Sequence, residues 1–356
     1  MTSEQQVLWI TEAGGRFQIA HREVPRPGPG FVLIKIEACA LNPVDNWSQR
    51  TGILVDKYPY IAGNDGSGIV EEVGEGVSEL KRGDRVFFQA AFGDHRGTFQ
   101  QYVLVDVPLI AKIPDNLTFD QASTIPLGFA TAAIGLYQKK RERGGVELVA
   151  PWADGGRGKY AGQAIYIPGG ASSVGQYAIQ LAKLSGFNPI ITTASAKSEA
   201  YCRDAGATHV IDYKTVPYTS IPAVVKEIAN GPVGIVYDAI STPESQRADW
   251  EVLRPNGSLV LSLPSTVKAS KGDRWVVWTY GAVRGYDNEE FGREMYGALP
   301  GLLADGSIKS NKVELIEEGL KGIPAALERL GSGKVSGVKL VARPGELERP
   351  ELCRYS

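Results

Sequence analysis

Three cysteines, two methionines and three histidines in 356 residues leave this chain poor in metal-binding and redox-active side chains. Cys39, Cys202 and Cys353 are too few and too dispersed for a disulfide framework or a cysteine-rich metal site. His21 and His209 lack neighbours with ligand spacing, and His95 lies in a glycine-flanked loop that reads as solvent-exposed. No stretch approaches the roughly 20 apolar residues of a membrane span. Met1–Gln6 carries no basic segment leading into an apolar run, so no secretory signal is read, and the expectation is a soluble, cytoplasmic protein. A surplus of positive charge is missing too. With 38 Lys and Arg against 40 Asp and Glu, the net charge of -2 argues against general nucleic-acid or membrane-surface binding.

What is present is glycine, 42 residues of it, distributed over two textures. From Val7 to about Pro114, short apolar runs are cut by Gly, Pro, Asn and Asp, as in Phe31–Ile36, Gly68–Val73, Arg85–Phe88 and Gln101–Val105. That pattern predicts a β-rich, barrel-like domain. Thr118-Phe-Asp-Gln121 reads as a capping box opening a helix, and a second helix is expected after Pro126. Arg141–Gln163 reads as a surface loop. From Ala164 the texture becomes β-α-β, with strands expected at Ala164–Ile167, Pro189–Thr192, Val210–Ile211, Gly234–Asp238 and Ser258–Ser262. Helices are expected between them, and the alternation predicts a doubly wound parallel sheet, an α/β fold. Two later helical stretches are expected at Glu289–Leu303 and Lys312–Leu330, then a closing strand at Gly337–Ala342 that returns to the first domain.

The most informative segment is Gln163–Lys183: a buried strand, a glycine turn and a helix with an apolar face. Such a turn aims backbone N–H groups and a helix N-terminus at an anion, the way dinucleotide pyrophosphates are held. Against G-x-G-x-x-G, Gly170 takes the first place, Gly175 the last, and Ser172 stands in the middle. The expected cofactor loop is Gly169, Gly170, Ala171, Ser172, Ser173, Val174 and Gly175, with the serine hydroxyls able to donate to phosphate oxygens. An NAD site places an acid at the tip of the next strand. Here that tip carries Ser195 and Lys197, suited to a 2′-phosphate, with Tyr213 after the third strand as a cover. Glu199 comes late and reads as a first-turn helix charge. The expectation is therefore NADP(H).

Further segments carry a family resemblance: Ala38-Cys-Ala-Leu-Asn-Pro-Val-Asp45, Ile61–Val70, Val73-Gly-Glu-Gly-Val77, Lys81–Val86 and Gly97–Tyr102. Over nearly its whole length the chain resembles medium-chain dehydrogenases/reductases, in the zinc-independent branch of quinone oxidoreductases and enoyl reductases, including fungal trans-acting enoyl reductases. The resemblance implies a GroES-like β-barrel catalytic domain interrupted by a Rossmann domain, with the active site in the interdomain cleft. The implied bounds are 1–130 and 285–356 for the catalytic domain and 131–284 for the cofactor domain. Zinc-dependent relatives have cysteine where this chain has Asn42 and Gly-His-Glu where it has Gly63-Asn64-Asp65, and Gln89–Phe99 lacks the cysteines of a structural zinc lobe. No metal is expected.

Without a Lewis acid, the implied chemistry is NADPH hydride addition to an already electron-poor carbon, in an α,β-unsaturated carbonyl or a quinone. The resemblance points to Asn42 and Asp45 at the active cleft. Asn42 is read as a donor to a carbonyl or the nicotinamide ribose, and Asp45 as catalytic or simply a helix cap. Thr131 is expected to face the nicotinamide or to bond its own backbone. Ile240 and Leu261, at strand C-terminal ends, and Val338 and Lys339, in the closing strand, are expected near the cofactor. Some relatives use a tyrosine proton donor where this chain has Leu54; Tyr58 and Tyr60 are not aligned with it, which leaves water as a proton source. Trp275, Trp278 and Tyr280 line a pocket, a subunit edge or the core. Three functional readings stay open: a reductase of small enals, enones or quinones; a trans-acting enoyl reductase with a polyketide synthase partner; and a cofactor-binding relative without turnover. Monomer and homodimer are both compatible with the resemblance.

Overall fold

The computed structural model describes residues 4–91, 93, 96–267 and 273–346. His95 and Cys353 lie outside the described residues. The chain divides into two compact units, Met1–Pro126 with Ser310–Ser356, and Leu127–Lys309.

Unit 1 opens with β1 (Glu4–Ile10), β2 (Gln18–Glu23), β3 (Phe31–Ala40), α1 (Pro43–Thr51), β4 (Tyr60–Ile61) and β5 (Asp65–Val73). It continues through β6 (Arg85–Gln89), β7 (Tyr102–Asp106), β8 (Ile110–Lys112) and α2 (Phe119–Ser123). The next helix, α3 (Pro126–Tyr137), starts at the boundary and leads into unit 2. That unit holds β9 (Ile165–Ile167), α4 (Ser173–Leu184), β10 (Ile190–Ala194), α5 (Glu199–Ala205), β11 (His209–Asp212) and α6 (Ile221–Ile228). It is completed by β12 (Val233–Asp238), α7 (Pro243–Val252), β13 (Leu253–Leu261), β14 (Trp275–Trp278) and α8 (Glu289–Ala304). The chain then re-enters unit 1 with β15 (Val313–Leu315), α9 (Ile323–Gly331) and β16 (Lys339–Ala342).

In unit 1 the long strand β3 is the organiser. Its middle and end are buried, and it pairs antiparallel with β5, β7 and β16. Among the described residues the main sheet runs β15-β16-β3-β5-β6-β8 with β7 also on β3, and a smaller sheet runs β2-β1-β4. Val7, Ile34, Phe88 and Phe99 share one core with Ile323 and Leu327 of the returning segment. The Val341–Ala40 and Ala342–Cys39 pairings tie the C-terminal strand to β3.

Unit 2 is a parallel sheet in the order β11-β10-β9-β12-β13-β14. Counted from β9, this is 3-2-1-4-5-6, the Rossmann order, with its switch point between the adjacent strands β9 and β12. Right-handed crossovers in the two directions put α4 and α5 on one face and α6 and α7 on the other. Accordingly α4 packs on α5 and α6 on α7. Tyr166, Ile191, Val236 and Leu259 fill the core under α6 and α7.

Two expectations change. Lys312–Leu330 is not one helix: Val313–Leu315 pairs parallel with β16, Glu318 and Gly319 adopt left-handed backbone, and a new helix starts at Ile323 with Pro324 in its first turn. The strand partner and the left-handed break override the apolar spacing that reads as helical. The return to unit 1 comes at Ser310, so α8 belongs to unit 2, whereas the expected second boundary lay at 285.

Candidate functional site

The glycine loop of unit 2 is closed by the neighbouring strand. Gly169, at φ 79°, donates its N–H to Thr193 Oγ1 at 3.0 Å, and Gly170 donates to the Thr193 carbonyl at 3.0 Å. Ser172 caps α4, its Oγ accepting from the Gly175 N–H at 3.0 Å. A Cβ on Gly175 would stand 2.2 Å from the Gly169 carbonyl oxygen, and one on Gly170 would stand 2.2 Å from Thr192 Oγ1. Both positions therefore admit only glycine. The other first-turn N–H groups of α4 have no carbonyl to meet inside the helix. Ala171, Ser172, Ser173 and Val174 are partly exposed there.

The strand tips beside the loop carry the residues expected from sequence. Ser195 follows β10 directly and is buried, while Lys197 is exposed on a tight turn. Glu199 is engaged elsewhere, in an ion pair with Arg203 at 2.8 Å along α5. Pairing of Ala194 with Asp212 brings Tyr213, 40% exposed, to the same sheet edge as Ser195.

Beyond β12 the turn is held by an acid that sequence reasoning missed. Asp238 Oδ1 accepts from the N–H groups of Ile240 (2.9 Å) and Ser241 (2.7 Å), and Oδ2 accepts from Ser245 Oγ (2.6 Å). This holds Ser241 in left-handed backbone at φ 53° and lays Ile240 against Gly169, whose added Cβ would come within 2.3 Å of it. Leu261 pairs with Asp238 and is fully buried. Asp249 of α7 lies buried near Asp238; burial first, then the charge of Asp238, push its carboxyl far above the usual range. Thr131 donates from Oγ1 to the Leu127 carbonyl at 2.7 Å, and its own carbonyl accepts from the Tyr237 hydroxyl at 2.8 Å. The aromatic residues around β14, the sheet's edge strand, are partly buried: Trp275 Nε1 donates to the Gly145 carbonyl, and the Arg143 guanidinium stacks 3.6 Å from the Trp278 ring. Tyr280 meets Tyr286 edge to face.

In unit 1, Asn42, Asp45, Asn64, Asp65 and Lys339 form one buried network. Asp45 is the N3 residue of α1, and its Oδ2 accepts from the Asn42 N–H at 2.7 Å while Oδ1 accepts from Asn64 Nδ2 at 2.6 Å. Asn42 Nδ2 donates to Asp65 Oδ2 at 2.9 Å, and Lys339 Nζ donates to Asn42 Oδ1 at 2.5 Å and pairs with Asp65 Oδ2 at 3.1 Å. Burial pushes the Asp45 carboxyl up to about 7, Asp65 adding to the shift and the Asn42 N–H, Asn64 and Lys339 opposing it. Val338, just before Lys339, is partly buried. Leu54 is left-handed at φ 64°, and the Tyr58 hydroxyl is buried without a hydrogen-bond partner among the described residues. Among the described residues no group of three or more His, Cys, Asp or Glu is arranged to hold a metal, and no helix is long and apolar enough to cross a membrane.

Thr193, Asp238 and Asp249 thus join the residues expected from sequence. The available signals were polar side chains inside otherwise apolar runs, Ile190-Ile-Thr-Thr-Ala194 and Val233–Asp238.

The acid pair predicts a pH-dependent stability. Because Asp249 has a raised folded-state pKa, the folded chain binds an extra proton above the unfolded value of about 4, so this residue's contribution is full at low pH and is lost as pH rises. Asp249→Asn keeps the neutral shape at every pH. The thermal midpoint of the variant, relative to wild type, should therefore rise as pH increases above the unfolded value of about 4; a difference constant with pH contradicts the buried-acid assignment.

Comparison with known proteins places this geometry. The family model for the alcohol dehydrogenase GroES-like domain matches residues 28–115, and that for the zinc-binding dehydrogenase matches 173–262. A trans-enoyl reductase of Penicillium sp is 29% identical over 367 residues, covering 96% of this chain and 98% of the relative. The dehydrogenase azaJ of Aspergillus niger is 32% identical over 339 residues, covering 90% of this chain and 94% of the relative. A mycobacterial protein solved in complex with NADPH has the same fold at a TM-score of 0.75 and 23% identity, covering 96% of this chain and all of that one. The chain belongs to the medium-chain dehydrogenase/reductase superfamily, as an oxidoreductase of its enoyl reductase-like branch.

Proposed function

We propose that the protein is an NADPH-dependent reductase that adds hydride to an activated carbon–carbon double bond or a quinone without a metal. The observation that carries the cofactor reading is the tip of β10, where Ser195 and Lys197 stand and Glu199 is paired with Arg203, while Asp212, opposite Ala194 on β11, accepts from the Lys214 N–H at 3.0 Å. A carboxylate there would repel a 2′-phosphate. The loop fits the pyrophosphate of such a cofactor: no acidic side chain occurs between Pro168 and Lys183, the glycines keep the backbone compact, and α4 presents its N-terminus.

In this reading the first-turn N–H groups of α4 and the hydroxyls of Ser172 and Ser173 hold the pyrophosphate. Ser195, Lys197 and Tyr213 take the 2′-phosphate. Ile240 and Leu261 border the nicotinamide end of the sheet edge, Ile240 through the turn that Asp238 fixes. Bound there, the cofactor would supply hydride to the electron-poor centre of the acceptor, and water would supply the proton that completes the reduction. Asp45 is fully engaged as cap and partner of Asn64, so its role is to brace the turn that presents Asn42. Thr131 bonds its own helix and contributes to the wall of the site rather than to proton transfer. A metal is disfavoured by the chain's own chemistry: the Lys339 ammonium already neutralises Asp65 and bonds Asn42. A second reading, favoured by the names of the fungal relatives, is action in trans on an acyl chain carried by a polyketide synthase.

Lys197→Glu should weaken NADPH binding by about tenfold or more, ~1.4 kcal/mol, and leave NADH binding unchanged or improved. Fluorescence titration with both nucleotides checks this; equal losses for both would contradict the assigned contact. Gly175→Ala should lower affinity for both nucleotides together, since its Cβ would push α4 off the loop. NADPH oxidation in the presence of enals, enones and quinones tests the reaction: tight NADPH binding without turnover of any acceptor contradicts the reductase reading.

A further inference from the structure

We propose that Lys339 is a positioning residue that acts through Asn42, locking the orientation of its carboxamide. The use of that orientation in catalysis rests on the reductase reading above.

Three elements meet at this point. Lys339 opens β16, Asp65 opens β5, and Asn42 precedes α1. Lys339 Nζ lies 2.5 Å from Asn42 Oδ1 and 3.1 Å from Asp65 Oδ2, and Asn42 Nδ2 lies 2.9 Å from that same Asp65 oxygen. The three side chains close a ring. The Lys339 and Asp65 side chains are 5% and 0% exposed, so water screens little of the interaction.

A carboxamide is nearly symmetric in shape, and its oxygen and nitrogen are distinguished only by their partners. Here the oxygen faces a cation and the NH2 group faces an anion, with the Ala40 carbonyl 3.4 Å away as a second, weaker acceptor. Rotating the amide by half a turn would set its NH2 group against the ammonium and its oxygen against the carboxylate, exchanging two attractions for two repulsions. The Lys339–Asp65 pair therefore selects one of the two orientations. The backbone of Asn42 is fixed separately, by its N–H bond to Asp45. The capping box sets where Asn42 sits, and the ion pair sets which way its carboxamide faces. Any group that meets Asn42, a substrate carbonyl or a ribose hydroxyl, meets a donor–acceptor pattern defined by a lysine 297 residues away in sequence.

The test compares wild type with Lys339→Met, Lys339→Arg and the charge-balanced Lys339→Met/Asp65→Asn. The double variant leaves no unpaired buried charge and keeps the question open to measurement if the single variant fails to fold. The first readout is independent of turnover: the side-chain NH2 signals of Asn42, identified by their loss in Asn42→Ala, followed by hydrogen exchange. Exchange should be slow in wild type and at least about 100-fold faster in Lys339→Met and in the double variant, with Lys339→Arg close to wild type. The second is kinetic: both Met-bearing variants should lose about tenfold or more in kcat, and Lys339→Arg should recover most of the rate. Wild-type Asn42 protection and wild-type kcat in the double variant would overturn the proposal. Loss of Asn42 protection in a protein that, as wild type, reduces no acceptor would uphold the positioning and remove the reductase reading instead.

Discussion

The N–H groups of Gly169 and Gly170 both end on Thr193, and the place of α4 follows from that closure. The loop has to turn within three residues of β9 and meet a helix whose Gly175 already touches the Gly169 carbonyl. Glycine supplies the left-handed turn and the close backbone approach; Ser172 supplies the cap; Thr193 supplies the donor's partner. With these fixed, the N-terminus of α4 stands at the switch point of the sheet, where the crossovers diverge to opposite faces. Asp238 does for the next turn what Thr193 does for the loop. Its carboxyl gathers two backbone N–H groups and a serine hydroxyl, so Ile240 lies against Gly169.

Unit 1 solves a different problem. It buries a lysine, two aspartates and two asparagines in one network, which is tolerable only because nearly every polar atom has a partner. Removing one member of such a buried ion pair typically costs about 3–5 kcal/mol, mostly through the charge left behind. The network also joins the two chain segments of the discontinuous unit, since Lys339 lies on β16 and Asp65 on β5, both beside β3. Stability of the unit and orientation of Asn42 therefore depend on the same bonds.

Much of this was legible in the sequence because the relevant signals are local. The Thr118/Gln121 capping box, the short apolar runs of β3 and β5 and the strand–glycine–helix texture after Gln163 each need only a short window. Glu199 was read as a helix charge, and its ion pair with Arg203 is one turn away. What was not legible depends on partners distant in sequence. Nothing near Lys339 announces Asn42 or Asp65, and nothing near Asp238 announces a second buried acid on α7. Val313–Leu315 becomes a strand because β16 is there to pair with, whereas its own spacing fits a helix as well.

The proposed cofactor site is the loop between β9 and α4, with Ser195 and Lys197 beside it as the proposed contacts of a 2′-phosphate. Titration calorimetry of the wild-type protein with NADPH and with NADH, in one buffer at one salt concentration, tests it most directly. The account predicts one NADPH per chain, bound at least about tenfold more tightly than NADH. Absence of binding heat with NADPH at concentrations well above its expected affinity, or equal affinity for the two nucleotides, would contradict it.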